Sequence, residues 1–131
     1  MTSLLNIKKV MGPVTVLYLE GSLDGQTENL AVGNARAVLD GGARFLLIDL
    51  HGVDMVTSAG LRALHTIYEM FTPYNEIQAW RIEHDDETFK SPYFKLARSS
   101  PQVHYVLSIA GFLQNISMYP DLQEALDSFP S

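Results

Sequence analysis

The sequence of 131 residues contains no cysteine, so disulfide bridges and thiolate metal sites are both excluded. Basic residues are also scarce: nine lysines and arginines stand against fifteen acidic residues, which gives a net charge of −6. The nine are scattered, whereas nucleic-acid binding rests on clustered basic side chains, so we expect no nucleic-acid partner. No apolar run is long enough to span a bilayer, and the N-terminus, MTSLLNIKKV, lacks a secretion signal. We therefore expect no membrane association and a cytoplasmic location.

The hydrophobic fraction of 47% is typical of a globular chain, and the length fits a single domain over residues 1–131. The predicted order of elements is strand, strand, helix, strand, helix, strand, helix, short strand, helix. Strands that alternate with helices after an opening hairpin indicate a largely parallel sheet with right-handed crossovers. We therefore predict an α/β fold, with a central mixed, mostly parallel sheet of four to five strands and about four helices.

Apolar periodicity and capping residues set the predicted boundaries. Strands are predicted at Asn6–Val10, Val14–Leu19, Phe45–Leu50 and Tyr93–Ala97, with a short one within Phe112–Met118. Helices are predicted to begin at the capping residues Thr27, Thr57 or Ser58, Ser100 and Asp121. The buried face of the helix after Ser100 is predicted to contain Val103, Val106, Leu107 and Ala110. A loop is predicted over Glu20–Gly25 and a polar turn at His51–Asp54.

Residues 73–93 form the irregular part of the sequence and contain the single tryptophan, Trp80. A short strand is predicted within Ile77–Ile82. The acidic run Glu83-His84-Asp85-Asp86-Glu87 contains residue types that bind metals, but no second group of ligands accompanies it, so we interpret it as a solvated loop tip. Trp80 and the aromatic residues around it provide enough apolar surface for the segment to pack rather than extend into solvent.

Ser58 lies where a buried strand ends and a helix begins, at the edge of an α/β sheet where ligands and partners bind. One interpretation is that Thr57 or Ser58 is a plain helix cap. Another is that Ser58 is phosphorylated, which adds about −1.5 to −2 charges and three acceptor oxygens. A helix N-terminus favours anions, so the fold would persist while its surface changed sign. Ala59 and Gly60 keep the turn slim and leave the hydroxyl open to a kinase.

A nucleophilic role for Ser58 is the third interpretation. The nucleophile-elbow pattern needs glycine two residues before and after the serine, and Val56 occupies the first of these positions. His65 lies two turns further along the helix, whereas His51, in the adjacent loop, stays open as a base. Asp24 is interpreted as a turn residue, or as an exposed carboxylate beside Ser58 if the two strand ends are neighbours. No glycine-rich phosphate loop is present, and we expect neither an enzyme nor a cofactor.

Three segments together resemble the STAS domain, the module of bacterial anti-sigma factor antagonists and of sulfate-transporter tails. They are GSLDGQT, FLLIDLHGVDMVTSAGLRAL, and PQVHYVLSIAGF followed by YPDLQEAL. The resemblance covers most of the chain in the right order. It implies that Ser58 is a regulatory phosphosite, with Asp24 nearby, modified by a GHKL-type serine kinase that is often itself the anti-sigma factor. It also implies that a PP2C-type phosphatase reverses the modification, and that the unphosphorylated form binds the anti-sigma factor and frees sigma.

Two features depart from the family pattern. Many members carry aspartate just before the phosphosite, where this chain has Thr57, which is itself phosphorylatable. The segment over residues 73–93 is longer than the usual connection. We expect an anti-sigma factor antagonist, with a homodimer as a further assembly; the alternative is a constitutive STAS scaffold or regulatory subunit of a signalling or transport complex. The expected docking surface consists of Ser22, Asp24, Thr57, Ser58, Gly60, Leu61 and Arg62.

Overall fold

A mixed five-stranded sheet in the order β1-β2-β3-β4-β5 forms the centre of the computed structural model, which describes residues 5–84 and 87–130. The strands are β1 Asn6–Val10, β2 Thr15–Leu23, β3 Leu46–Val56, β4 Phe94–Ala97 and β5 Met118–Tyr119. The α-helices are α1 Glu28–Asp40, α2 Ser58–Phe71, α3 Tyr74–Glu83, α4 Pro101–Ile109 and α5 Leu122–Asp127. β1 pairs antiparallel with β2, and the other neighbours are parallel. The predicted α/β fold is therefore confirmed, with one more helix than expected.

The sheet separates two layers of apolar side chains, because successive residues of a strand point to opposite faces. Leu17, Ile48 and Leu96 lie side by side on three strands and belong to the larger core, which also contains side chains of α1, α2 and α4. Val16 and Leu47, each one position earlier, belong to a smaller core that α5 covers. Three helices thus pack on one face of the sheet, whereas one short helix leaves part of the other face open.

β2 and β3 both continue beyond the ends predicted from the sequence. The loop predicted over Glu20–Gly25 is wrong for Glu20–Leu23, which belong to β2. The turn predicted at His51–Asp54 is also wrong, because these residues lie within β3. The two strands stay paired to their ends, and Gly21, with a φ of 121°, accommodates a shift in their register. Pairing of β2 with β3 provides hydrogen bonds for backbone N–H and C=O groups that would lack strand partners if these residues formed turns.

The segment after α2 contains a helix, so the strand predicted within Ile77–Ile82 is wrong. Ile77 packs against the larger core. Trp80, three residues later, is half-buried against Phe89, with the ring centroids 5.6 Å apart. Ile82 is 83% exposed. The apolar pattern therefore has the spacing of a helix rather than of a strand, and the segment packs as expected.

The caps predicted for α4 and α5 are confirmed. Ser100 accepts a hydrogen bond from the N–H of Val103 at 3.2 Å, and Asp121 accepts one from the N–H of Glu124 at 2.9 Å. Each side chain satisfies a backbone donor that the first turn of a helix leaves unpaired. These short local patterns identify the two helix starts without help from tertiary contacts.

Two boundaries near the C-terminus differ from the prediction. Ala110 is exposed, not buried, because α4 ends before it, and Val106 is only half-buried. The strand predicted within Phe112–Met118 is wrong for most of that range, since Phe112–Gln114 forms a 3-10 turn. β5 begins only at Met118, where the chain comes beside β4. Thus α4 ends earlier, and β5 begins later, than the apolar pattern indicates.

Candidate functional site

The carboxyl ends of β2 and β3 meet at the start of α2. Leu23 pairs with Val56 at the ends of the two strands, and the N–H of Thr57 donates to the Leu23 carbonyl at 2.9 Å. Gly60, in the first turn of α2, lies against the backbone of the same leucine. The two strand ends are therefore neighbours, and Ser58 lies at the corner that they form with the helix.

Thr57 caps α2, and Ser58 is the first residue of the helix. The Thr57 hydroxyl accepts the N–H of Gly60 at 3.4 Å and lies 3.4 Å from the Leu23 carbonyl, to which it donates. Ser58 is exposed, and its hydroxyl has no hydrogen-bond partner among residues 5–84 and 87–130. Of the two hydroxyls that the sequence offers as caps, Thr57 is thus the cap. The Ser58 hydroxyl faces solvent beside the unpaired N–H groups of the first turn.

The half-buried Asp24 carboxylate is turned toward the start of α1. It accepts hydrogen bonds from the N–H of Gln26 at 2.9 Å and from the N–H of Thr27 at 3.2 Å. Thr27 occupies the N-cap position of α1, as the sequence predicts, but its hydroxyl donates to the Ser22 carbonyl at 2.8 Å and makes no capping bond to the helix. Asp24 therefore organises the turn into α1, and its carboxylate is committed to local backbone groups.

The loop after β2 runs beside the first turn of α2. A Cβ placed on Gly25 would lie 3.9 Å from the Cβ of Ala59, which is an ordinary van der Waals contact. Ser22 is buried and donates to the Asp54 carboxylate at 2.9 Å. Leu61 is half-buried and packs against the larger core. Ser22 and Leu61 thus stabilise the corner, and neither presents a fully exposed side chain.

Arg62 forms a bidentate ion pair with Glu28 that joins α2 to the first turn of α1. Nε of Arg62 lies 2.6 Å from Oε2 of Glu28, and a terminal nitrogen lies 2.7 Å from Oε1. The hydrogen bond from Arg62 lowers the pKa of the Glu28 carboxyl, and the hydrogen bond to Glu28 raises the pKa of the guanidinium. The sequence did not reveal the pair, because the residues are 34 positions apart. The only local signal was an acid in the first turn of a helix.

The comparisons with known proteins fit this geometry. The family model of the STAS domain matches residues 6–75. The chain belongs to the STAS domain family. No curated protein matches its sequence.

Among solved structures, an anti-sigma factor antagonist from Mycobacterium paratuberculosis is 22% identical to this STAS protein, with a TM-score of 0.73 over 95% of this chain and 92% of that one. An anti-sigma-factor antagonist (STAS) domain protein from Planctomyces limnophilus is 23% identical, with a TM-score of 0.67 over 93% and 96%. The Bacillus cell fate determinant SpoIIAA in its phosphorylated form is 16% identical, with a TM-score of 0.60 over 94% and 96%. At these identities the similarity establishes the shared fold.

The sheet face that α5 leaves open carries a second polar cluster of this STAS protein. Asp49 is only 2% exposed and accepts two hydrogen bonds from Arg98, at 2.8 and 2.9 Å. The bond to Asp49 raises the pKa of the Arg98 guanidinium. Two surface hollows of about 410 and 660 Å³ meet here, and His51 and Arg98 line both. Asp49 interrupts an apolar strand in the sequence, and its burial explains why it needs a charged partner.

The histidines considered as bases for Ser58 are placed elsewhere. His51 lines the hollows beside Arg98, and none of the hydrogen bonds in the described part of the chain joins it to Ser58. His65 lies on α2, with Nδ1 at 3.4 Å from the carboxylate of Glu69 on the same helix. Within the described residues, neither histidine is therefore hydrogen-bonded to the Ser58 hydroxyl, as a base that activates a nucleophilic serine would be.

The acidic run begins within α3, since Glu83 is the last residue of that helix and not part of a loop tip, and Asp85 and Asp86 lie outside the described residues. His84 stacks on Trp80 with ring centroids 4.3 Å apart. Its Nδ1 lies 3.0 Å from the carbonyl of the same tryptophan. Within residues 5–84 and 87–130 no group of three acidic or histidine side chains is arranged to hold a metal ion. In the same ranges, no helix is long and apolar enough to cross a bilayer.

Proposed function

We propose that this STAS protein is a non-catalytic regulator, an anti-sigma factor antagonist whose binding is switched by reversible phosphorylation of Ser58. The observation that carries the proposal is the exposed, unbonded Ser58 hydroxyl at the first position of α2, within the stretch that the family model matches. Two of the similar structures are anti-sigma factor antagonists, and one further relative is described in a phosphorylated form.

Ser58 is a better acceptor than Thr57. A kinase must reach the hydroxyl and direct it at a nucleotide phosphate, and Ser58 is exposed on the first turn. The Thr57 hydroxyl is half-buried and points at the Leu23 carbonyl and the Gly60 N–H. Phosphorylation of Thr57 would remove the helix cap and force a bulky anion toward backbone groups packed at the corner. Phosphorylation of Ser58 leaves all of these contacts in place.

A phosphate at Ser58 changes the surface without disturbing the fold. The unpaired N–H groups and the positive end of the helix dipole stabilise an anion at the start of α2. A partner that packs on this corner would meet about two added negative charges and a strongly hydrated group. Desolvating such a group without a matching cation costs more than a typical interface contact returns. The switch therefore acts through local electrostatics at one corner of the sheet.

The proposed docking surface consists of the parts of the corner that solvent reaches. Ser58 and Arg62 are exposed, and Asp24, Thr57 and Leu61 are half-exposed. The other two predicted contact residues, Ser22 and Gly60, are buried, so their part is to hold the corner in shape.

The proposed partners are an anti-sigma factor or serine kinase of the GHKL type and a PP2C-type phosphatase, acting on a cytoplasmic protein that also forms a homodimer. We further propose that residues 1–131 form one STAS domain and that residues 73–93 are an insertion in it.

The test combines phosphotransfer with binding. The cognate kinase and ATP should add one phosphate to the protein, detected by intact mass, and none to Ser58→Ala. Ser58→Ala should bind the anti-sigma factor as the parent does, whereas Ser58→Asp should lose most of that binding in titration calorimetry. Thr57→Ser, which keeps a hydroxyl at the cap, serves as the control and should be modified like the parent. Equal binding by Ser58→Ala and Ser58→Asp would overturn the switch, and absence of any added phosphate would favour a constitutive STAS scaffold.

A further inference from the structure

Arg62, which forms the ion pair with Glu28, lies about one helical turn after Ser58 in α2. Arg62 follows Ser58 by four residues in α2, and side chains at this spacing lie on the same face of a helix, with Cβ atoms about 5–6 Å apart. Helical side chains also lean toward the N-terminus, so the Arg62 side chain leans toward Ser58. Its guanidinium is therefore within reach of a phosphate carried by that serine.

The existing pair is exposed at one end. The Arg62 side chain is 65% exposed and that of Glu28 is 18% exposed. The bidentate geometry favours the pair, but water screens its exposed arginine end and a long side chain must be ordered, so its contribution to stability is modest. A side chain held this weakly changes partner readily when a stronger acceptor comes close.

A phosphate is a stronger acceptor for this arginine than the carboxylate is. It carries about twice the charge of Glu28 and three acceptor oxygens, and it matches the planar guanidinium as well as a carboxylate does. A contact within one helix also needs no coordination between two elements, whereas the pair with Glu28 joins α2 to α1. The same phosphate repels the Glu28 carboxylate. The stronger acceptor, the contact within one helix and the repulsion of Glu28 all favour transfer of the Arg62 guanidinium to the phosphate.

We infer that phosphorylation of Ser58 transfers the Arg62 guanidinium from Glu28 to the phosphate, and that this exchange is part of the switch. The inference rests on the proposed function, which supplies the phosphate. Before modification, Glu28 and Arg62 neutralise each other across α1 and α2. After it, Arg62 offsets part of the phosphate charge, and Glu28 is left as an unpaired carboxylate at the start of α1. A docked partner would then meet unfavourable charge at both helices rather than at Ser58 alone.

The experiment uses the full chain with phosphoserine installed at position 58 during translation, so that no kinase is needed. Phosphorus NMR gives the second pKa of the phosphate in the parent, in Arg62→Gln and in Arg81→Gln. Arg81 is the control, because it lies on α3 and its charge acts on Tyr68, about 15 Å along α2 from Ser58. Carbon NMR follows the pKa of the Glu28 carboxyl with and without the phosphate.

The exchange predicts two results. The second pKa of the phosphate should be higher in Arg62→Gln than in the parent and unchanged in Arg81→Gln, since a contacting cation favours the dianion. The pKa of the Glu28 carboxyl should rise to its ordinary range or above on phosphorylation.

Two results would overturn the inference. An equal phosphate pKa in the parent and in Arg62→Gln would mean that Arg62 does not contact the phosphate. A Glu28 pKa that stays low after phosphorylation would mean that Arg62 bridges both anions instead of changing partner. Neither of these results depends on a kinase or an anti-sigma factor, so the proposed function and the exchange can fail separately.

Discussion

Gly60 lies so close to the backbone of Leu23 that no larger residue fits between α2 and the end of β2. A Cβ added at Gly60 would stand 2.3 Å from the Leu23 oxygen and 2.8 Å from its carbonyl carbon. The same oxygen accepts the N–H of Thr57 at 2.9 Å. One backbone carbonyl thus joins the strand end to the helix start, and the glycine lets the first turn approach it.

Replacing Gly60 by alanine should destabilise the protein by about 1–3 kcal/mol, because the corner must open to admit a methyl group. The matched control is Gly33→Ala in α1, where an added Cβ would meet nothing within 4 Å. That substitution should instead stabilise the protein by about 0.5–1 kcal/mol, since glycine is a poor residue for a helix interior. Urea denaturation gives both values. Equal effects of the two substitutions would contradict the close approach at Gly60.

Local sequence patterns predict that β3 and α2 exist, but not where β3 ends or which contacts join the two elements. The apolar run Phe45–Leu50 and the helical spacing after Ser58 predict β3 and α2, because each pattern reflects burial on a fixed period. The caps at Ser100 and Asp121 were identified for a similar reason, since the residue and its partner are neighbours in sequence.

The remaining features of the site depend on residues far apart in the chain. Glu28 and Arg62 are separated by 34 positions, and Asp49 and Arg98 by 49, so no local pattern joins them. The segment Glu20–Leu23 was predicted as a loop because its glycine and serine favour turns, yet pairing with β3 keeps it extended. Tertiary contacts therefore decide where strands end and which charges meet.

The stability contributed by Glu28 should depend on pH. The hydrogen bond from Arg62 lowers the pKa of the folded carboxyl, so its ionised form stabilises the fold above the pKa of the unfolded chain. This contribution is lost as the pH falls through the lower, folded pKa. Glu28→Gln should therefore lower the urea midpoint at about pH 7 and change it much less at about pH 3. An equal effect of Glu28→Gln at both pH values would contradict the pair.

Arg98 combines a buried ion pair with a strained backbone. Its φ of 58° lies in the left-handed region, which favours glycine, and its guanidinium holds the buried Asp49 carboxylate. Arg98→Ala and Arg98→Gly both leave that carboxylate without its partner and should cost roughly 2–3 kcal/mol of folding free energy. Glycine should be about 1 kcal/mol less destabilising than alanine, because it relieves the strain. Chemical denaturation of the two variants measures the difference. Equal stability would show that the backbone at position 98 relaxes when the arginine is removed.

Thr72 and Ser91 bracket the segment that contains α3, and their buried hydroxyls meet at 2.7 Å. The Ser91 hydroxyl also accepts the N–H groups of Tyr93 and Phe94, each at 3.2 Å, so one side chain closes the base of the segment and starts β4. Ser91→Ala leaves both N–H groups without an acceptor, the one of Phe94 buried and the one of Tyr93 partly buried, and should cost about 2–3 kcal/mol because each group loses its partner.

Thr72→Val is the matched control for Ser91→Ala. It removes one hydroxyl but leaves the bonds from the backbone to Ser91, so its cost should be nearer ~1 kcal/mol. Trp80 provides the measurement, because it is the single tryptophan and packs on Phe89 within the segment. Its emission in native buffer should shift to the red in Ser91→Ala and less in Thr72→Val, as the base of the segment loosens. If the two variants gave the same emission shift and the same urea midpoint, the hydrogen bonds from the Tyr93 and Phe94 N–H groups to Ser91 would not stabilise the base of the segment.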